Sequence, residues 1–356
     1  MRRFYIGICL VLLFLFAFFG DAAMRGAIKG LELFAHGVFP ALFPFCICIG
    51  CLKRLGFFIV PESGVFFSLL RLFLLGAIAG NPTGSMLVGE HSYNENGSGG
   101  TQRSVYSALF NLASPVFIIG TVGSRLFAFS SPLPALLILL SHYLSALFIF
   151  CGYYPLQKRL RITKNGLAQM SCAPITSERS ASLVSVFPSA LMEGVSSMLK
   201  LCGTIVFFVS LAELITYSLP FASHSAAFGA LAVGMLEMTN GLALLASTAI
   251  EPRLALSLAS FIISFGGICI FMQANSVSPV RAGAYLSVKL LHGVCAFMLC
   301  YFVYPLFSAF SVSVSNSMSE TLVYRTVSAL RIASLCVIAS AAASLAAVLA
   351  AKRTRV

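Results

Sequence analysis

Glu237 sits inside an apolar stretch, AAFGALAVGMLEMTNGLALLAST, at residues 226–248. A charged side chain at the centre of a membrane helix costs ~2.5–3.5 kcal/mol on insertion scales. An acid kept there is a candidate for holding a proton, a cation or a solute; its bland alternative is a carboxyl bonded to a neighbouring helix. The same run is broken at Glu237-Met-Thr-Asn-Gly241, and a second apolar run, 66–89, is broken at Gly80-Asn-Pro-Thr-Gly84. Proline removes a backbone donor and glycine loosens a helix. Two further runs are interrupted at Asn111-Leu-Ala-Ser-Pro115 and Ser264-Phe-Gly-Gly267. The breaks gather short polar side chains: Asn81, Thr83, Asn111, Ser114, Thr239, Asn240 and Ser264, with Gln273 below the last. With Glu237 these form the expected substrate-binding set, able to hydrogen-bond one small polar solute in a shared cavity. Each alone reads equally well as glue between helices. Gly80, Pro82, Gly84, Pro115, Gly241, Gly266 and Gly267 are expected to shape the breaks rather than to touch a ligand.

No catalytic pattern accompanies this set. The chain lacks H-E-x-x-H and G-x-S-x-G, and the glycines of NENGSGGTQ have no Walker lysine with which to cradle phosphate. No enzyme activity, cofactor or metal is expected. Cys48-Ile-Gly-Cys51 lies in an apolar run with no second pair, and the 11 cysteines read as small buried hydrophobes. Glu213 reads as a snorkelling or paired acid, and His142 as a hydrogen-bonded core histidine. Lys200, Lys289 and Arg125 read as interfacial residues whose charges snorkel to water.

Composition sets the elements that must position these residues. The 356-residue chain is 59% hydrophobic and 10% charged, against about 25% charged in soluble domains. The sequence is that of an all-α polytopic membrane protein in the cell membrane. Its net charge of +12 is concentrated in short basic segments, as the positive-inside rule expects, and calls for no nucleic acid. Residues 1–23 read as an N-terminal membrane helix or a signal peptide, with Phe4–Phe19 apolar behind Arg2 and Arg3. Residues 24–37 read as an interfacial helix. Further spans are expected at 38–51, 106–127, 132–153, 199–219, 255–275, 285–307 and 327–351, making about eight. Lys53-Arg54, the basic loop 154–181 and the Lys-Arg-Thr-Arg tail mark the cytoplasmic side, which places both termini there.

Parity then constrains the broken runs. The 66–89 run must begin and end inside, so it is a re-entrant hairpin. At 1.5 Å per residue each arm of about ten residues covers ~15 Å, half the hydrocarbon thickness. The 226–248 run must begin and end outside. Helix, broken hairpin, broken helix, helix thus occurs twice with opposite orientation, at 24–153 and 182–308. Residues 309–356 supply an outer loop, a last transmembrane helix and the basic tail. Inverted repeats with paired breaks point to a midplane site of the secondary-transporter kind.

The ordered segments VFPALFPFCICIGCL, GAIAGNPTGSMLV, NLASPVFIIGTVGS, VGMLEMTNGLALL and FIISFGGICIFMQ resemble the YlbJ-type sporulation integral membrane proteins, of the nucleoside-recognition or gate-domain superfamily. The resemblance spans about residues 25–305. That family commonly reads Gly-Tyr/Phe-Pro-x-Gly at the first hairpin, where Asn81 and Thr83 fill the variable places here. Its Asn-Asn-x-x-Pro stands here as Asn111-Leu112-Ala113-Ser114-Pro115, with one Asn replaced. The resemblance implies a role in spore formation, dipicolinate movement across a forespore membrane, or, by the wider superfamily, nucleoside or ion movement.

The expected function is passage of a small organic anion through the midplane site, with H+ or Na+ as coupling ion. Helix N-termini just after the two breaks would hold the anion, at Thr83–Ser85 and Asn240–Leu242. The alternatives are nucleoside or ion movement, or a membrane scaffold that moves no solute. Oligomeric state is not legible. In a cysteine-free background, single cysteines at positions 165 and 315 are expected to label from opposite sides of the membrane. Labelling from one side would remove the inverted orientation.

Overall fold

A computed structural model describes residues 2–55, 57, 65–89, 99–163, 182–218 and 226–315. The expected last span at 327–351, the basic tail and residues 164–181 of the basic loop lie outside these. Every element among the described residues is helical: α1 (Arg2–Phe18), α2 (Gly20–Leu33), α3 (Phe39–Arg54), α4 (Val65–Ala79), α5 (Thr83–Gly89), α6 (Gly99–Phe110), α7 (Leu133–Thr163), α8 (Leu183–Ser218), α9 (Ala226–Leu236), α10 (Met238–Ala246), α11 (Pro252–Phe265), α12 (Gly267–Val277) and α13 (Ala282–Ser315). Two π-helical segments join them, π1 (Phe34–Val38) and π2 (Phe117–Leu126). Among the described residues, four helical stretches are long and apolar enough to cross a membrane: Leu133–Leu156, Leu183–Ser218, Pro252–Val277 and Ala282–Phe307. A fifth is reached if α1 and Gly20–Val38 count as one bent span.

Residues 24–37 do not form a separate interfacial helix. The chain is helical without interruption from Gly20 to Arg54 and runs antiparallel to α8 along its length. Gly26 packs on the backbone of Ser210, Gly30 on Val206, and Gly50 on Ala190. Pro40 has no N–H to offer the His36 carbonyl, which accounts for the change to π geometry over Phe34–Val38. Lys29 pairs with Glu213 at 3.3 Å and Arg54 with Glu193 at 3.0 Å. The two acids stand twenty positions apart on α8, about 30 Å along the helix, close to the thickness of a hydrocarbon core. Helix α1 leaves this frame at 96° and buries none of its side chains.

Helices also outrun their expected limits. Helix α8 starts at Leu183 because Val186, Ala190, Gly194 and Ser197 form a buried small-residue face. Helix α7 continues to Thr163, into the expected basic loop, and α13 to Ser315, into the expected outer loop.

Both broken runs fold back as helical hairpins. In the first, α4 and α5 meet where Gly76 faces Gly84; in the second, α9 and α10 meet where Gly234 faces Gly241. The first hairpin packs with α6 and, through Phe66 and Phe73, with Phe150 of α7, in one apolar cluster that also takes in Val288 near the start of α13. The second packs on α11 in another apolar cluster, which also takes in Leu137–Leu139 in the earlier half of α7 and Cys300, Val303 and Phe307 late in α13. The two hairpins therefore belong to apolar clusters at opposite ends of the α7–α13 pair. Each tip meets an interrupted helix of its own half. Gly80 lies against Ser114 between α6 and π2, and Gly267 lies against the Gly234 and Leu236 carbonyls at the α11–α12 junction.

Not every expected break residue breaks a helix. Gly80, Gly266 and Gly267 do, at φ of 86°, 82° and 81°, where L side chains are strained. Gly84 and Gly241 instead lie within α5 and α10. A Cβ on Gly84 would strike the Phe110 carbonyl, and one on Gly241 the Gly234 backbone. Because backbone rather than a flexible side chain blocks the space, Gly84→Ala is expected to destabilise by about 1–3 kcal/mol. Gly203→Ala, with nothing within 4 Å, should leave stability unchanged or slightly raised. Thermal midpoints of the two purified variants check this ordering.

Candidate functional site

Three of the four interruptions, with α12 just beyond the fourth, come together at one cavity of about 150 Å³. Gly80 and Asn81 reach it from the first hairpin tip, Ala113 and Ser114 from the first interrupted helix, and Phe117 and Thr121 from π2. Glu237, Met238 and Thr239 come from the second hairpin tip, Ile270 and Gln273 from α12, and Gly37 and Val38 from π1. Ile205 of α8 also lines it, about 18 Å along that helix from Glu193 and about 12 Å from Glu213. The cavity thus lies between the levels of the two ion pairs. Its polar wall is two amides (Asn81, Gln273), three hydroxyls (Ser114, Thr121, Thr239) and one carboxyl (Glu237), with no cationic side chain among the described lining residues.

The backbone freed by the first break is held from outside the cavity. Lys289 Nζ donates to the Asn111 carbonyl at 3.0 Å. The Ala113 N–H donates to His142 Nε2 at 3.1 Å. Tyr143 Oη lies 2.8 Å from the Ala113 carbonyl and 3.0 Å from that of Ala77, in the last turn of α4. These partners matter because an unpaired backbone group in lipid costs several kcal/mol. Lys289 does not snorkel: it is 1% exposed, and its amine is committed to the break. His142 is fully buried and bonded, as expected of a core histidine.

At the second break Glu237 is extended and caps α10. Its Oε1 accepts from Thr239 N–H at 3.0 Å and its Oε2 from Asn240 N–H at 2.7 Å. The N-terminus expected to hold a solute anion is therefore already occupied by a carboxyl of the chain itself. At the first hairpin the corresponding amides turn inward too, with Thr83 N–H bonded to the Gly80 carbonyl and those of Ser85 and Met86 to Pro82. Helix α5 has only 7 residues and offers no free anion-binding end.

Of the expected binding residues, Asn81, Ser114, Glu237, Thr239 and Gln273 line the cavity and four do not. Asn111 turns to Tyr285, its Nδ2 donating to the phenol oxygen at 2.8 Å. Ser264 lies beneath His142, 2.8 Å from Nδ1. Thr83 is fully buried beside the first tip, and Asn240 meets Glu237 through its backbone N–H. Pro115 opens the helix after the first break, and Pro82 is buried in the first tip. Asn81 Oδ1, Thr83 Oγ1, Asn111 Oδ1 and Asn240 Nδ2 are buried with no hydrogen-bond partner. Buried polar atoms are rarely left so in the absence of water, an ion or a solute.

Sequence reasoning missed Thr121, Gly37 and the external partner Tyr143, and placed Lys289 at an interface. Polar residues within apolar spans were the available signal. Glu213 has a partner, Lys29, and is part of the frame rather than of the cavity.

No protein-family model matches the chain, and no solved structure matches it. Among curated proteins it is 24% identical over 334 residues to the sporulation integral membrane protein YlbJ of Bacillus subtilis (strain 168), covering 81% of this chain and 79% of that protein.

The capping geometry generates a direct expectation. Glu237→Ala removes both acceptors and should lower stability by about 1–2 kcal/mol. Glu237→Gln keeps one oxygen and should lose less. Thermal midpoints in detergent that fall in the order wild type, Gln, Ala fit the cap; equal midpoints count against it.

Proposed function

We propose that this chain is a sporulation-associated membrane protein that passes a small polar solute across the bilayer at the cavity between its two hairpins. The observation that carries this reading is a mid-depth cavity walled by broken backbone from both halves, with a buried acid at its edge. A scaffold has no need of that arrangement. The placement of the two hairpins in apolar clusters at opposite ends of the α7–α13 pair supports two inverted repeats and alternating access around a fixed site. The relative's name supplies the link to spore formation. A forespore membrane and cytoplasmic termini belong to the same proposal.

The electrostatics favour an uncharged or cationic solute. Glu237 is the one ionisable side chain among the described lining residues, and the helix-end amides beside it are taken. Asn81, Ser114, Thr121 and Gln273 offer the neutral donors and acceptors that a nucleoside would use. A small carboxylate such as dipicolinate is the second reading. One observation favours it: the start of α10 is already built to hold a carboxylate at the cavity wall. For a solute to use those amides, its carboxylate must displace that of Glu237.

The two readings give opposite signs for one variant. In vesicles holding the purified protein, labelled uridine uptake should fall at least tenfold in Glu237→Gln if the solute is neutral. Under the anion reading, Glu237→Gln should raise dipicolinate uptake, because a competing carboxylate is gone. If neither solute enters through the wild-type protein and neither competes with the other, transport gives way to the scaffold role.

A further inference from the structure

Behind the cavity lies a second polar cluster that the transport reading does not use. His142 of α7 and His292 and Lys289 of α13 are all buried, and the two imidazole rings stand 4.9 Å apart. His142 Nε2 accepts the Ala113 N–H at the first break, and its Nδ1 lies 2.8 Å from Ser264 Oγ, two residues before the Gly266 break. His292 Nε2 lies 2.8 Å from the His142 carbonyl, and Lys289 holds the neighbouring Asn111 carbonyl. One imidazole therefore touches the interrupted backbone of one half and the hydroxyl at the interruption of the other.

Hydrogen-bond polarity fixes the form of that ring. A backbone N–H can only donate, so Nε2 must be a bare acceptor and the single ring proton must sit on Nδ1, where Ser264 Oγ accepts it. An imidazolium would turn an N–H toward the Ala113 N–H and lose that bond. The titratable and charged groups facing the ring are His292 and Lys289 of α13 and the adjacent Tyr143. The second interrupted helix presents the Ser264 hydroxyl, and no acid among the described residues pairs with Lys289 or either histidine.

We propose that His142 is a positioning residue that couples the two interrupted helices, and that it does so only as the neutral Nδ1–H tautomer. This deepens the transport reading and rests on it for its purpose. The coupling holds the wall carrying Ala113 and Ser114 in register with the end of α11 in the state seen here, so a solute meets both halves aligned. Acidification that protonates His142 releases them.

The test uses the full-length protein with H142L, H142Q, S264A and the H142L/S264A pair. In a double-mutant cycle of thermal midpoints, S264A should lower the wild type but leave H142L unchanged; additive losses overturn the bridge. Hydrogen–deuterium exchange should rise in H142L in peptides covering both 105–118 and 258–270, and a rise in one segment alone also overturns it. H142Q supplies an acceptor and a donor and cannot gain a proton. It should retain wild-type midpoints at neutral pH and lose less on acidification than the wild type; equal acid-induced drops in H142Q and the wild type overturn the tautomer requirement. In vesicles, H142L should reduce the maximal rate of uridine uptake at least fivefold with half-saturation unchanged, since His142 touches no solute. A wild-type protein that takes up no uridine removes the transport reading, while the midpoint and exchange measurements still decide the bridge.

Discussion

A peptide group released from a helix inside a bilayer has no water to turn to, and that constraint organises this molecule. Each interruption frees backbone donors or acceptors at a depth where leaving them unpaired costs several kcal/mol. The residues that look most out of place in an apolar chain are the answer. Lys289, His142 and Tyr143 hold the Asn111 and Ala113 backbone, and Glu237 holds the first amides of α10. Polar side chains and broken helices are two halves of one solution here.

The hairpins can deliver their tips to mid-depth only because their arms pack at backbone distance. Gly76 with Gly84, and Gly234 with Gly241, remove the side chains that would hold the arms apart. The same economy lets Gly84 press on the Phe110 carbonyl and brings Gly80 onto Ser114. The small-residue seams thus connect sequence to site: they set how far each tip reaches, and so which polar groups the cavity receives.

Much of this was legible in the sequence. Gly, Pro and Asn inside apolar runs gave all four interruptions, and a lone acid in lipid-like sequence gave Glu237. What stayed hidden was rotational phase and distant pairing. Asn81 and Ser114 line the cavity while Thr83 and Asn111, of the same chemical types and close by, turn away. Pattern cannot separate them once a break resets the helical phase. Residues 24–37 looked interfacial because apolar residues at helical spacing stand beside charges; the partner that takes up Lys29, Glu213, is 184 positions away. Lys289 looked interfacial from its place near the start of an expected span; its acceptor, the Asn111 carbonyl, is free only because the helix is broken there. The helix-end amides counted as free for an anion had a visible claimant in the acid immediately before α10, a cap in sequence terms.

The two ion pairs along α8 also act as a ruler. Lys29–Glu213 and Arg54–Glu193 fix where charged groups can meet water on each face, about 30 Å apart along the helix. Each pair is partly exposed, and neither can slide along the helix without parting from its partner. The protein therefore carries its own preferred bilayer thickness. A membrane a few ångströms thicker would draw both pairs into hydrocarbon unless the lipid thinned locally around them, and a thinner one would force the α2–α3 and α8 frame to tilt. Hydrophobic matching, at fractions of a kcal/mol per ångström, thus becomes a property by which lipid composition acts on a frame whose helices also wall the cavity.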